Sequence, residues 1–390
     1  MSIFDNTTVA FQSKSNRDLQ KSRLLFTMIS NPTLVKSGKF FTELAFALHL
    51  PVKGLIKATI FKQFVGGENI DECKITINNL GKYGIGSILD YSVEGKTDDD
   101  GFDKTCEEII KTIEEAKNNP MIPFSVFKVS GMGSIKILEN ASGGDLNPME
   151  SEQFQKIKQR VSKICSAAAA ANVRVFIDAE ESWIQNPIDE MAEEMMENFN
   201  KNKVIVYNTV QMYRHDRLDY IHHLHERAKN KNYKVGLKIV RGAYMEKEAK
   251  RAIEQGYQNP IQPDKSSTDK DYNQALEYCI EHIEDFAICA GTHNEASSEL
   301  LISLMKQKGL ENHDNRVYFS QLLGMSDHIS YNLANLGYNV AKYVPYGPVR
   351  EVMPYLIRRA QENTSVKGQT GRELSLIKKE INLRKTLNNS

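Results

Sequence analysis

Two adjacent arginines near the end of the chain, in the stretch YLIRRAQEN, carry the most specific chemistry in the sequence. On a helix, Tyr355, Arg359 and Glu362 share one face, and Arg358 lies beside Tyr355 one turn on. Paired guanidinium groups grip a carboxylate or a phosphate, because each planar fork meets two oxygens at once. Glu362 can hold one arginine in place from the next turn. A lone RRxxE also occurs on solvated helix faces, so the pair needs a setting before it means a site.

Other groups fall in apolar runs, where a charge needs a reason. Lys128 sits within FSVFKVS. A buried lysine needs a partner or a depressed pKa. A substrate carboxylate or Asp178 would serve, a Schiff base is another use, and a lysine reaching solvent at a strand end is a third reading. Asp178, in IDAEES, can bind a metal, act as a base or orient a neighbour, and a solvent-facing role for Glu180 and Glu181 is one open reading. His293, in GTHNE, can bind a metal or a cofactor oxygen, though a lone histidine is more often simply hydrogen-bonded. The chain has nine histidines but no HExxH pair, and no metal site is expected. His222, His223 and His225 read as a surface helix face. In RGAY, from Arg241, the small residues let something flat approach the backbone, and a following helix would turn its N-terminus to a phosphate. Such residues suit a bulky anionic cofactor, which residue chemistry alone does not name.

The elements that must position these groups are eight short, continuous apolar runs. They begin at Gly84, Phe124, Arg174, Lys203, Val235, Phe286, Arg316 and Asn339. Continuous runs rich in β-branched residues read as parallel strands buried on both faces. Amphipathic stretches separate them, such as Ser151 to Ala171 with Phe154, Ile157, Val161 and Ile164 at helical spacing. Eight such units predict an α/β fold, a closed (β/α)8 TIM-like barrel over residues 81–370. A helical arm or cap (1–80) precedes it and a helical tail (371–390) follows. No GxGxxG follows Tyr91, which argues against a Rossmann domain. Barrel active sites lie at the carboxyl ends of the strands. Those ends would carry Lys128, Asp178, Ala179, Gln211, Lys238, Arg241, Gly242, Ala243, Tyr244, Thr292, His293, Leu322 and Tyr343.

Composition narrows the class. Fifty Lys and Arg balance fifty Asp and Glu in 390 residues, which leaves no net field to hold nucleic acid. Five scattered cysteines fit a reducing compartment. The first residues lack a signal-peptide apolar core, and the expected location is the cytoplasm.

The segments FVGGE, GIGSILDYSVE, FIDAEES, NTVQMY, KIVRGAY, GTHNE, QLLGMSD, KYVPYGP and YLIRRAQEN occur in that order from about Phe64 to Val366. In them the chain resembles the proline dehydrogenase family, flavoenzymes with a distorted (β/α)8 barrel, and in RGAY its mitochondrial-type branch. The resemblance implies a carboxylate clamp of Arg358 and Arg359 with Lys128 as a third cation. It implies walls of Leu322, Tyr343 and Tyr355 around the pyrrolidine ring, with Asp178 and Lys238 as catalytic residues. FAD would be held by Ala179, Gln211, Lys238, Arg241, Gly242, Ala243, Tyr244, Thr292 and His293, with Glu362 behind the arginines. Tyr343 resembles the branch that prefers proline to hydroxyproline. The implied reaction takes L-proline to Δ1-pyrroline-5-carboxylate, with electrons passed to a membrane quinone. That implies peripheral contact with the inner face of a membrane. The chain is too short for a fused aldehyde dehydrogenase, so a separate pyrroline-5-carboxylate dehydrogenase would take the product through transient contact. Two rival readings stay open: a Schiff-base lyase or aldolase using Lys128, and a ligand-binding barrel without turnover.

Overall fold

The structure is a computed structural model. It describes residues 2–31, 33, 53–93, 95, 97–365 and 369–389, with backbone only at 55, 360–365, 369, 370, 388 and 389. All eight predicted strands form: β1 (Ile85–Tyr91), β2 (Phe124–Lys128), β3 (Arg174–Asp178), β4 (Val206–Gln211), β5 (Val235–Val240), β6 (Phe286–Gly291), β7 (Val317–Leu322) and β8 (Val340–Tyr346). They follow one another in a closed barrel with helices between them. No helix among the described residues is long and apolar enough to cross a membrane. The chain divides into two compact units: Gly95–Ser320, and Met1–Glu94 with Gln321–Ser390.

In the unit Gly95–Ser320, β2 to β7 pair in parallel and in sequence order. Every residue of β4 is buried, including Asn208, Thr209 and Gln211, as expected of a strand covered on both faces. Near the amino ends of these strands the interior is aromatic. Phe124 stacks on Phe176 at 4.3 Å between ring centres and meets Tyr207 and Tyr318 edge-on at 5.5 and 4.8 Å. Gly236 is obligatory on β5, because a Cβ there would lie 2.4 Å from the Val206 carbonyl oxygen. The helix predicted from Ser151 starts three residues earlier, at Pro148, whose missing N–H costs nothing in a first turn. Asn147 and Glu150 cap each other there, and Asn172 closes the helix in the left-handed region at φ 56°.

One expectation in this unit fails. His225 is buried, not on a surface: its ring nitrogens lie 2.8 Å from the Tyr278 hydroxyl and 3.1 Å from Asp285. The rings of Tyr278, His282 and Phe286 enclose it. His223 is exposed, as expected, and His222 is half-buried against Tyr278.

In the other unit, β1 pairs with β8 in parallel. The helices Asn16–Ile29 and Gln369–Asn389 belong to one apolar core with Phe26, Phe64, Leu356 and Ile377. Within the expected helical arm, residues 53–64 are helical, with a π-helical middle from Lys57 to Phe61. Residues 34–52 of the expected arm lie outside the described residues. Lys342, on β8, is fully buried and donates to Asp327 (2.8 Å) and to the Met325 carbonyl (2.7 Å). Asp327 also pairs with Lys14 at 3.1 Å. Burial pushes the Asp327 carboxyl up, but the two lysines outweigh it and hold its pKa below the usual range.

Candidate active site

The carboxyl ends of β3, β4 and β5 meet through side chains. Lys238, on β5, is buried and forms an ion pair with Asp178, the last residue of β3. Its ammonium lies 5.4 Å over the Phe176 ring, and Thr209 reaches the same aspartate at 3.4 Å. A lysine on a strand interior is tolerable only with such a counter-charge. Gln211, at the end of β4, donates to the Glu180 carbonyl (2.7 Å) and accepts from the Ala243 N–H (3.1 Å). One amide thus ties the loop after β3 to the loop after β5.

The RGAY turn begins at Arg241. Its guanidinium donates to Asp269 (2.6 Å), Thr292 (2.7 Å) and Ser297 (2.9 Å), and it lies 4.2 Å from the centre of the Tyr272 ring. Gly242 takes φ 145°, and a Cβ there would sit 2.4 Å from the Tyr213 ring, so only glycine fits. Gly242 and Ala243 are exposed, which leaves the backbone open to a flat partner. The helix expected to follow does so, over Met245–Gln255. Its first turn carries Glu246 and Glu248, which already answer the helix dipole. Glu248 is fully buried and accepts both the N–H and the hydroxyl of Ser182, each at 2.6 Å. Thr292 is buried, His293 and Tyr244 are half-buried, and Lys247 lies 5.5 Å over the Tyr244 ring.

Glu180 and Glu181 do not take the solvent-facing reading that the sequence left open. Glu180 is buried and accepts the Ser130 N–H at 2.8 Å, with the Ser130 hydroxyl on its second oxygen. Burial pushes its pKa up to about 7, against the pull of Ser130 and Lys128. Glu181 is buried too, in an ion pair with Lys247 at 2.6 Å. The chain turns inward after β3 because Gln185 accepts the Glu180 N–H at 2.8 Å. Lys128, in register with Asp178, ends β2 half-buried. The acidic doublet at a strand end was the one signal in the sequence that could have marked Glu180. For Glu248 there was none.

In the unit that holds β8, Tyr343 and Tyr355 are buried. Leu322 is half-buried at the end of β7, and the Leu323 N–H donates to the Tyr343 carbonyl at 2.9 Å. The helix Met353–Ser365 brings Arg359 over the Tyr355 ring at 5.1 Å, as the four-residue spacing predicts, and Arg358 is half-buried beside it. The side chain of Glu362 lies outside the described residues. Among the described residues, no group of three or more His, Cys, Asp and Glu could hold a metal.

A parallel (β/α)8 barrel with charged and amide groups on its strand ends defines an enzyme-type barrel. Within that class, the chain belongs to the proline dehydrogenase family: the family model described as "Proline dehydrogenase" matches residues 73–372. It is 33% identical to "Proline dehydrogenase 1, mitochondrial" of Dictyostelium discoideum, over 97% of this chain and 74% of that one. It is also 33% identical to "Carbapenem antibiotics biosynthesis protein CarD" of Pectobacterium carotovorum subsp. carotovorum, over 84% of this chain and 85% of that one. Among solved structures, proline utilization A (PutA) from Bdellovibrio bacteriovorus, inactivated by N-propargylglycine, superposes with a TM-score of 0.72. At 19% identity, over 94% of this chain and 39% of that one, it supports the fold alone. The family is one of oxidoreductases of proline catabolism.

Proposed function

We propose that the protein oxidises L-proline to Δ1-pyrroline-5-carboxylate with FAD as cofactor. The observation that carries this reading is the strand-end arrangement of Asp178, Lys238 and Gln211 beside an exposed Gly242–Ala243 backbone, in a chain of this family. The donor set fits a flat, anionic cofactor: an ammonium, an amide, a guanidinium and a threonine hydroxyl lie at or near one set of strand ends, beside the exposed backbone of Gly242 and Ala243. Lys238, Gln211, Arg241, Thr292 and His293 would hold FAD, with the backbone of Ala179 and of Gly242 to Tyr244. FAD, when bound, supplies the hydride acceptor.

The chain's own residues bind and orient the substrate. Arg358, Arg359 and Lys128 take the carboxylate, while Leu322, Tyr343 and Tyr355 wall the ring and exclude water. Three cations around the carboxylate favour the neutral ring amine, the form that can give up a hydride from the adjacent carbon. Asp178 holds the Lys238 side chain in an ion pair, and Glu180 orients the loop that follows Lys128 through Ser130. Tyr343 crowds the ring and favours proline over hydroxyproline. A quinone takes the electrons through peripheral contact with the inner face of a membrane, and the protein works from the cytoplasm. A separate pyrroline-5-carboxylate dehydrogenase consumes the product.

The visible spectrum of the purified protein tests this. We expect a yellow protein absorbing at about 450 nm that bleaches on addition of proline. A colourless protein that takes up no flavin, or a flavin band that proline leaves untouched, would sink the reading. The same spectrum separates it from Schiff-base chemistry at Lys128 and from a binding barrel without turnover.

A further inference from the structure

The amino ends of the strands in the unit Gly95–Ser320 surround a second cavity, of about 850 Å³. It is at the opposite end of these strands from the Asp178–Lys238 pair. Its cationic lining is Lys117, Arg174, Lys203, Lys234 and Arg316, against the single carboxylate of Glu284. Three of those cations are already answered. Lys234 pairs with Asp285 (3.0 Å), Arg316 with Glu284 and Asp314 (2.8 Å each), and Lys117 faces Glu114 at 3.9 Å.

Arg174 and Lys203 differ. Among the described residues neither has a carboxylate within ion-pair distance. Arg174, the first residue of β3, is half-buried. Its guanidinium lies 5.5 Å from the centre of the Phe124 ring and 5.2 Å from that of Tyr318, and it hydrogen-bonds Tyr318. The rings fix its position, and one bond to Tyr318 leaves most of its five donors for another partner. Lys203 donates to the Asn172 side chain, a neutral partner. Arg174 is the costly one, a half-buried charge without a counter-charge, while Lys203 is exposed and adds a second positive charge at the rim of the cavity. The amides of Asn118, Asn119 and Asn202 add neutral donors around it.

We propose that this cavity binds a dianionic phosphate group carried on a small organic body. Two unanswered positive charges match a phosphate monoester dianion. The volume far exceeds a bare phosphate and falls in the range of small-molecule sites, roughly 300–1,000 Å³. Arg174 takes two phosphate oxygens with its fork, and Lys203 takes a third as a point charge.

The test uses the full chain, with inorganic phosphate and phenyl phosphate titrated at constant ionic strength and chloride as control. Binding is read by calorimetry and by thermal shift. We expect saturable binding of both, tighter for the ester. Arg174→Gln should weaken it about tenfold or more. Lys203→Ala, at an exposed side chain that does not threaten folding, should weaken it about threefold. Two results would overturn the proposal: a shift that chloride reproduces at matched ionic strength, or binding that neither substitution changes. Neither readout depends on flavin or proline, so its failure is separate from failure of the proposed activity.

Discussion

Two lysines on barrel strands each face an aspartate, and the two regions handle that charge differently. Lys342, on β8, is closed off. The Asp327 carboxylate and the carbonyls of Met325 (2.7 Å) and Leu322 (3.3 Å) surround its ammonium, and Lys14 braces Asp327 from the other side. The adjoining Ser326 N–H donates to Glu373 of the last helix at 2.8 Å. Lys238, on β5, meets Asp178 at a strand end, where the aspartate is half-buried and a flat aromatic face lies beneath the ammonium. The first arrangement cross-links segments far apart in the chain. The second holds a charge at a rim where a ligand can meet it. A saturated buried charge pair reads as structure, and a rim pair reads as a site.

Four measurements would break or sharpen that contrast. Lys342→Met leaves Asp327 with one partner fewer and removes a closed network. It should cost about 3–5 kcal/mol in chemical denaturation, with KM for proline nearly unchanged in the folded fraction. If stability is unaffected, Lys342 is not the strut described here. Lys238→Met should do the reverse, lowering kcat about 10²-fold while costing no more than about 2 kcal/mol of stability. A large stability loss with normal turnover would merge the two lysines into one class. Arg359→Ala should raise KM for proline by about tenfold or more, as for a charge pair losing a partner. An unchanged KM removes the clamp assignment.

The smallest effect concerns Glu180. Its folded pKa, about 7, lies above the ordinary value of 4.5 because of burial, so the folded state binds the extra proton. Its contribution is therefore fully present below about pH 4.5 and is lost as pH rises through 7, with a slope of at most about 1.4 kcal/mol per pH unit. Denaturation curves across that window should show the slope in the parent protein and not in Glu180→Gln. Equal slopes would mean that Glu180 is ionised throughout.

The sequence alone determined the strands and many of the strand-end residues. Eight short apolar-rich runs became the eight strands, and the seven from β2 to β8 carry the expected residues at or near their carboxyl ends. Local spacing also placed Arg359 over Tyr355, because four residues make about one helical turn. Tertiary structure alone decided which charges meet. Asp178 finds Lys238 sixty residues on, Glu180 folds back onto Ser130, His225 goes inward onto Asp285, and Lys342 is answered by Asp327 and braced by Lys14. Arg174 looked like the ordinary start of a strand until packing left it among aromatic rings, with no carboxylate at ion-pair distance among the described residues. Burial and distance set the energy of a charge, and neither is written in the order of residues when the partner lies far along the chain.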